Sequence, residues 1–231
     1  MIYPDREIEK RLLSRLNPAG ISRPLLLAGV DEVGRGAIAG PVSVGICVVG
    51  IATADEFPVG LRDSKLLSPA AREQLVDPIR QWAVACTVGH ASAAEIDQWG
   101  ILGGLRAAAA RAYQQLGNLP IGVVLLDGVH NWWAAPLFSA GPTPPDLPVY
   151  LERKGDARCA VIAGASVVAK VERDRLMVQL ASQIPGYDWE NNKGYASAAH
   201  IAGLAELGVS SQHRKSWKLP GIASDATQGQ S

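Results

Sequence analysis

The sequence of 231 residues lacks a net charge, a closely spaced cysteine pair and any long apolar run. Its 22 basic and 22 acidic residues cancel, which disfavours a uniformly basic nucleic-acid-coating protein and requires any basic surface to be local. The three cysteines form no CxxC pair, which argues against zinc and predicts reduced core thiols. No apolar run approaches the ~20 residues of a membrane-spanning helix, and segment 1–16 has no signal-peptide core. We therefore expect a globular cytoplasmic protein without a membrane partner.

Apolar runs that alternate with helix-like segments predict an α/β protein with a mixed sheet. The run 121–126 is continuously apolar, which is typical of a central strand covered on both faces. Ser68 and Pro69 predict a helix start, because serine favours the N-cap and proline the first helical position. The predicted strands are 25–30, 42–49 (antiparallel to the first), 82–88, 121–126 and 148–153, and the predicted helices are 7–16, 69–80, 93–98, 102–116, 158–183 and 197–207.

Carboxylates stand at the ends of three predicted strands. Asp31 and Glu32 follow the first strand, whereas Asp127 follows the fourth. Asp156 follows the fifth. Carboxylates pooled at one edge of a sheet repel each other unless cations neutralise them, and their oxygens suit Mg²⁺ or Mn²⁺. Two such ions about 3.5–4 Å apart catalyse phosphoryl displacement. The pattern therefore predicts a two-metal site for phosphodiester chemistry.

Plainer explanations exist for some of these acids. Asp127 precedes Gly128, and Asp-Gly is a common hairpin turn, although a tryptophan- and proline-rich loop follows here in place of a strand. Asp156 could cap the helix that follows it. Asp174 is a further acid on that helix, but it lies roughly 25 Å beyond Asp156 at 1.5 Å per residue. We therefore treat Asp174 as structural.

The first two acids raise a geometric question. Neighbours on a regular strand point to opposite faces, so Asp31 and Glu32 share one site only if the strand stops or bulges. Gly34 and Gly36 permit a break, and we expect one between residues 31 and 36. The Gly-Arg-Gly turn lacks the spacing of a dinucleotide fingerprint, which favours close backbone approach to another ligand.

Six short blocks occur in an order that closely resembles type 2 ribonuclease H, also called ribonuclease HII. The resemblance spans about residues 24–218. This sequence has Ala37 where the family often has proline, and Ala196 and Ser197 after Tyr195, but neither departure removes an acid. The blocks are DEVGRG at 31–36, DSK at 63–65, LDG at 126–128, KGD at 154–156, ASVVAKVERD at 165–174 and KGY at 193–195.

The resemblance implies a ribonuclease H-like mixed five-stranded sheet flanked by helices, with a small helical C-terminal extension. It implies hydrolysis of the RNA strand of RNA–DNA hybrids, and cleavage at single ribonucleotides embedded in duplex DNA. The products would carry 3′-hydroxyl and 5′-phosphate ends, and the cofactors would be two Mg²⁺ or Mn²⁺ ions. The catalytic, metal-binding acids of the family correspond to Asp31, Glu32, Asp127 and Asp156.

The resemblance also assigns substrate contacts. It implies that Gly34, Arg35 and Gly36 read the ribose 2′-hydroxyl, the group that distinguishes RNA from DNA. It further implies that Tyr195 stacks on the sugar beyond the junction between RNA and DNA.

Basic residues supply further candidate contacts with phosphates. Lys65 is expected to meet a phosphate or to order the site, with a loop salt bridge as the alternative. Lys170 is expected to meet a phosphate, with an i, i+4 pair to Asp174 as the alternative. Arg173, on the same helix face, is the weaker candidate. The basic segment 213–218 could bind the duplex backbone, or could be an ordinary exposed segment.

Other residues are given structural roles. Trp132 and Trp133 are expected to pin the long loop to the core, and no histidine is assigned to catalysis. We expect a monomer. The predicted organisation is an N-terminal helical segment (1–20), a ribonuclease H-like catalytic domain (21–186), a helical C-terminal extension (187–220) and a disordered tail (221–231).

Two rival functions remain open at this point. A nuclease or resolvase of the same fold that acts on DNA would cut an all-DNA duplex as fast as one that contains a ribonucleotide. A non-catalytic hybrid-binding protein would show no metal-dependent turnover.

Overall fold

The computed structural model describes residues 3–19, 22–137 and 139–222, so most of the tail expected to be disordered lies outside the described residues. A 3-10 turn, Ser64–Leu66, precedes the second helix. The strands are β1 (Leu26–Val33), β2 (Val42–Val49), β3 (Ala85–Ala91), β4 (Ile121–Asp127) and β5 (Val149–Glu152), and the helices are α1 (Glu7–Leu16), α2 (Pro69–Trp82), α3 (Ala93–Gln114), α4 (Gly155–Arg158), α5 (Ala160–Gln183), α6 (Trp189–Asn192) and α7 (Ala198–Leu207).

The five strands form one mixed sheet in the order β3-β2-β1-β4-β5, which confirms the predicted fold class. The β1–β2 and β2–β3 pairs are antiparallel, whereas β1–β4 and β4–β5 are parallel. Alternate residues of β1 enter two cores: Leu27 and Val33 pack with α5, and Ala28 and Val30 pack with α3. The central strand therefore carries one helical layer on each face.

Local signals account for several helix boundaries. The Ser68 hydroxyl accepts a hydrogen bond from Ala71 N at 3.2 Å and caps α2 as predicted. The two helices predicted over 93–116 are confirmed as the halves of α3, which kinks at Gly100 (φ 69°). The predicted third strand began too early, because Trp82 ends α2 and β3 begins at Ala85.

The N-terminal segment is tied to the start of α5. The buried Glu9 carboxylate accepts hydrogen bonds from Val161 N at 2.7 Å and Arg6 Nε at 2.8 Å. The Asp5 carbonyl accepts from Ala160 N at 2.9 Å. Burial raises the pKa of Glu9, and the Arg6 hydrogen bond opposes that rise. Free N–H groups of the first α5 turn thus find acceptors on the segment that precedes β1.

The C-terminal part packs against α5 and the segment that follows β1. Its core includes Ile38, Met177, Tyr187, Trp189 and Leu204. The long loop after β4 is pinned as predicted, because its two tryptophans are buried in the α3 core. No helix in the described part of the chain is long and apolar enough to cross a membrane.

Candidate active site

The strand that carries the first two acids does not break before them. β1 stays paired with β2 through Asp31↔Gly45, Glu32↔Val44 and Val33↔Ser43. The chain leaves the strand at Gly34, within the range 31–36 where we expect a break but beyond both acids. The requirement that the strand stop or bulge at Asp31 and Glu32 for them to share a site is therefore wrong. Their side chains lie on opposite faces of the sheet, Asp31 on the side of α5, where Ser166 lies, and Glu32 on the side of the loop residue Trp132.

Both acids nevertheless line one cleft, because the edge of β1 that faces β4 is unpaired at Asp31 and Glu32. The β1–β4 ladder ends at Val30↔Leu126, one residue before Asp31. A cleft of about 250 Å³ opens there. Its lining includes nine predicted site residues, together with Ser64 and Ser166. The nine are Asp31, Glu32, Gly34, Arg35, Gly36, Lys65, Asp127, Lys170 and Tyr195.

Each acid of β1 has a protein donor. Asp31 is 5% exposed and accepts a hydrogen bond from Ser166 of α5, whose hydroxyl also lies 2.9 Å from that of Ser64. Glu32 accepts from Trp132 Nε1 at 3.2 Å and from Arg35 at 3.2 Å. The predicted role of the loop tryptophans was only to anchor the loop. The structure adds a direct contact between Trp132 and a candidate metal ligand.

The other two acids follow β4 and β5. Asp127 ends β4, and its Oδ1 accepts from Gly155 N at 2.6 Å. Lys154 turns the chain with a left-handed φ of 57°, which places Asp156 in the short helix α4. Asp156 is 5% exposed, does not line the cleft and accepts from Lys65 Nζ at 2.9 Å. The alternative of a hairpin at Asp127 is excluded, since a parallel strand follows.

The carboxylates share one electrostatic environment. Burial raises the pKa of Asp31 well above its ordinary value, Ser166 lowers it, and the charges of Asp127, Glu32 and Asp156 raise it further. Burial also raises the pKa of Asp127, and the neighbouring Asp156 adds to that rise. Burial disfavours the charged form of Lys65, yet the bond to Asp156 leaves its pKa raised. Repulsion among the acids indicates a site where added positive charge is stabilising.

These residues fit a hard divalent cation in donor type and location. All four acids offer oxygen ligands; Asp31 lies in the field of the other three, and Asp127 lies in the field of Asp156 and Glu32. Within residues 3–19, 22–137 and 139–222, however, no three His, Cys, Asp or Glu side chains lie close enough together to form a ready ligand cluster. Oxygens of Asp156, Asp127 and Glu32 are instead engaged by the protein donors Lys65, Gly155 N and Trp132, respectively.

Other predicted contacts are placed as follows. Lys170 lines the cleft and donates to Asp174 at 2.6 and 2.8 Å, so the i, i+4 pair is present. Tyr195 is 40% exposed at the cleft, with its ring 5.6 Å from the Arg173 guanidinium. Arg173 itself is buried and donates to Pro41 O at 2.8 Å, so the suggestion that it meets phosphates is wrong.

Part of the basic segment 213–218 fits neither alternative, a duplex-binding segment or an ordinary exposed one. Arg214 is fully buried and donates to the carbonyls of Gly34 and Arg35. It is therefore neither exposed nor able to bind the backbone of a nucleic-acid duplex. His200 and His213 are also buried, with their Nε2 atoms 3.0 Å apart. The sequence gives a single indication of this burial, namely that His213 and Arg214 lie close to the aromatic Trp217 along the chain.

Comparison with known proteins agrees with this geometry. A family model described as ribonuclease HII matches residues 28–220. Ribonuclease HII of Paracoccus denitrificans is 41% identical over 220 residues, covering 94% of this chain and 93% of that protein. That of Streptomyces coelicolor is 43% identical over 194 residues, covering 83% of this chain and 76% of that protein. Ribonuclease H2 from Pyrococcus horikoshii OT3 superposes with a TM-score of 0.68 at 26% identity, covering 84% of this chain and 95% of that one. The chain therefore belongs to the ribonuclease HII family, metal-dependent endonucleases that hydrolyse the RNA strand of RNA–DNA hybrids.

Proposed function

We propose that Asp31, Glu32, Asp127 and Asp156 hold two divalent cations, Mg²⁺ or Mn²⁺, and that this site hydrolyses the RNA strand of hybrids and cuts duplex DNA at single embedded ribonucleotides. The observation that carries the proposal is a cleft lined by Asp31, Glu32 and Asp127 beside a glycine turn, with Asp156 held next to it by Lys65. When bound, such ions supply an activated water and stabilise the departing 3′-oxygen.

The chain's own residues position the reacting groups. Ser166 orients Asp31, and Lys65 holds Asp156 until a ligand competes for that carboxylate. Lys65 is largely exposed, with 75% of its side chain accessible, so the same ammonium can reach a substrate phosphate. Lys170 lies on the cleft wall and has the same option, at the expense of its pair with Asp174.

We propose that the substrate includes single ribonucleotides in duplex DNA as well as long hybrids. The Gly34, Arg35 and Gly36 backbone would contact the ribose, and Tyr195 would stack on the sugar that follows. The 2′-hydroxyl is then a recognition group and not the nucleophile. Products with 3′-hydroxyl and 5′-phosphate ends, without a cyclic phosphate, are expected. We also propose a cytoplasmic monomer.

An end-labelled duplex with one ribonucleotide tests this proposal, with Mg²⁺ and Mn²⁺ in separate arms. Metal-dependent cleavage at the ribonucleotide is expected from the wild type and is expected to be lost in Asp31→Asn. Asp77→Asn, an exposed carboxylate on α2, is the matched control and should keep full activity. Equal cleavage of an all-DNA duplex would instead favour a DNA nuclease, and an active Asp31→Asn variant would contradict the assigned site.

A further inference from the structure

A buried guanidinium lies behind the turn that follows β1. Arg214 donates to Gly34 O at 2.6 Å, to Arg35 O at 2.8 Å and to Gly40 O at 3.3 Å, and it has no exposed surface. None of the ion pairs found among the described residues involves it. Burial of a cation without a carboxylate partner is unfavourable, so hydrogen bonds to the carbonyls must offset the free-energy cost of burying Arg214.

Those contacts determine the conformation of a β-turn. Ala37 N donates to Gly34 O at 3.2 Å, which closes a turn whose central peptide joins Arg35 to Gly36. Turns of types I and II differ by a flip of this central peptide, and a glycine at the third position permits both. Gly36 does not have a left-handed φ here, which agrees with type I. The Arg214 bond to Arg35 O holds the central peptide in this one orientation.

The same bonds determine where the amide hydrogens point. In a trans peptide the carbonyl and the following N–H point in opposite directions. Since the carbonyls of Gly34 and Arg35 are directed at Arg214, the N–H groups of Arg35 and Gly36 are directed away from it. Neither N–H donates to any acceptor among the described residues. Arg35 and Gly36 both line the cleft beside Asp31.

We propose that Arg214 is a positioning residue for ribonucleotide recognition, which holds the turn so that Gly36 N–H presents to the ribose 2′-hydroxyl. The inference rests on the proposed function of the turn but adds a residue from the C-terminal part of the chain. A lysine at this position retains the charge but cannot bind two carbonyls as a planar fork.

Arg214→Lys tests the inference, with Arg6→Lys as its matched control. Arg6 is also buried and donates to two carbonyls, Thr53 O and Ala54 O at 2.7 Å, but it does not line the cleft. We measure kcat/KM on a duplex with one ribonucleotide. In an Asp127→Asn background, we also measure the ratio of Kd values for an all-DNA duplex and for that duplex by fluorescence anisotropy.

Arg214→Lys is expected to lower kcat/KM roughly 10-fold or more and to bring the Kd ratio close to one, with the Kd for all-DNA duplex unchanged. Arg6→Lys is expected to lower Tm but to keep both quantities. A folded Arg214→Lys protein with the wild-type Kd ratio would overturn the inference. Absence of cleavage by the wild type would overturn the proposed function instead, while the Kd ratio still judges the role of Arg214.

If Arg214→Lys does not fold, a second measurement tests the inference without that variant. In the Asp127→Asn protein, which retains Arg214, the amide ¹H–¹⁵N signal of Gly36 is followed during titration with each duplex. The ribonucleotide duplex is expected to shift it, and the all-DNA duplex to shift it much less. Equal shifts would overturn the inference.

Discussion

Gly34→Ala and Gly36→Ala place the same methyl group two residues apart in one turn, with opposite expected consequences. Gly34 has a φ of 81°, and a Cβ built on it would lie 2.0 Å from Arg173 Nε. Gly36 has an ordinary φ, and a Cβ there would meet no atom within 4 Å. The first glycine is therefore required by the fold. The second is required by neither backbone nor packing, which leaves ligand approach as its reason.

The magnitudes follow from these contacts. A left-handed alanine costs roughly 1–2 kcal/mol. Arg173 cannot move aside freely, because it is buried and bound to carbonyls, and losing one such charged hydrogen bond costs roughly 1.5–3 kcal/mol. Gly34→Ala is thus expected to lose roughly 3–5 kcal/mol of unfolding free energy, which lowers Tm by roughly 6–20 °C. Gly36→Ala is expected to gain about 0.4–1 kcal/mol, because it restricts the unfolded chain.

The two variants are expected to rank in the opposite order in activity: Gly36→Ala, the more stable protein, should be the less active of the two when both are folded. In Gly36→Ala the added methyl group occupies the cleft surface, so kcat/KM on a single-ribonucleotide duplex should fall roughly 10-fold or more, about 1.4 kcal/mol of transition-state stabilisation. Urea unfolding and steady-state cleavage, measured on the same preparations, give both quantities. Full activity in Gly36→Ala, or an unchanged Tm in Gly34→Ala, would refute this account of the turn.

Three further outcomes are expected. Asp127→Asn should abolish cleavage yet raise Tm in chelator at pH 7, because it removes a carboxylate whose pKa is raised by burial and by neighbouring acids; a lower Tm would contradict this. Glu9→Gln should cost roughly 3–5 kcal/mol in urea unfolding, because a single amide oxygen cannot accept from both Arg6 and Val161 N and the buried Arg6 loses its partner, whereas exposed Glu7→Gln should be neutral. Burial, together with the charge of His200, lowers the pKa of His213 to about 4, below its unfolded value near 6.5. The contribution of neutral His213 to the free energy of unfolding is therefore fully present above pH ~6.5 and is lost as pH falls toward 4. Between pH 7 and 5 the wild type should lose roughly 2 kcal/mol more than His213→Gln, and equal losses would exclude this histidine as the cause.

Local chemistry explains what could be predicted from the sequence. Ser68 and Pro69 specify the start of α2 through backbone hydrogen bonding and a fixed φ, so the prediction needed no distant contact. The continuous apolar run 121–126 identified β4, and with it the position of Asp127 at a strand end. Tyr195, assigned through family resemblance, and Lys65, assigned as a basic residue that meets a phosphate or orders the site, both line the cleft.

Contacts between distant segments could not be predicted in the same way. The geometry of Asp31 and Glu32 depends on where the β1–β4 ladder ends, which is a property of two strands and not of either acid. Charged side chains usually lie at the surface, so the burial of Arg173 and Arg214 leaves no trace in composition or spacing. Their positions are explained by the carbonyls they bind and by the aromatic rings they lie over, Tyr195 for Arg173 and Trp217 for Arg214.

The backbone partners of the turn after β1 also have a consequence for biosynthesis. Ile38 N and Ala39 N donate to Gly194 O, and Gly40 N donates to Gln212 O. The ribosome therefore makes all four acids, the last at Asp156, before it makes the residues that hold this turn. Under the proposed assignment, a chain that stops between Asp156 and Gly194 would carry all four acids without the hydrogen bonds that hold the turn beside them. Selective cleavage at a ribonucleotide would then require synthesis to pass Arg214.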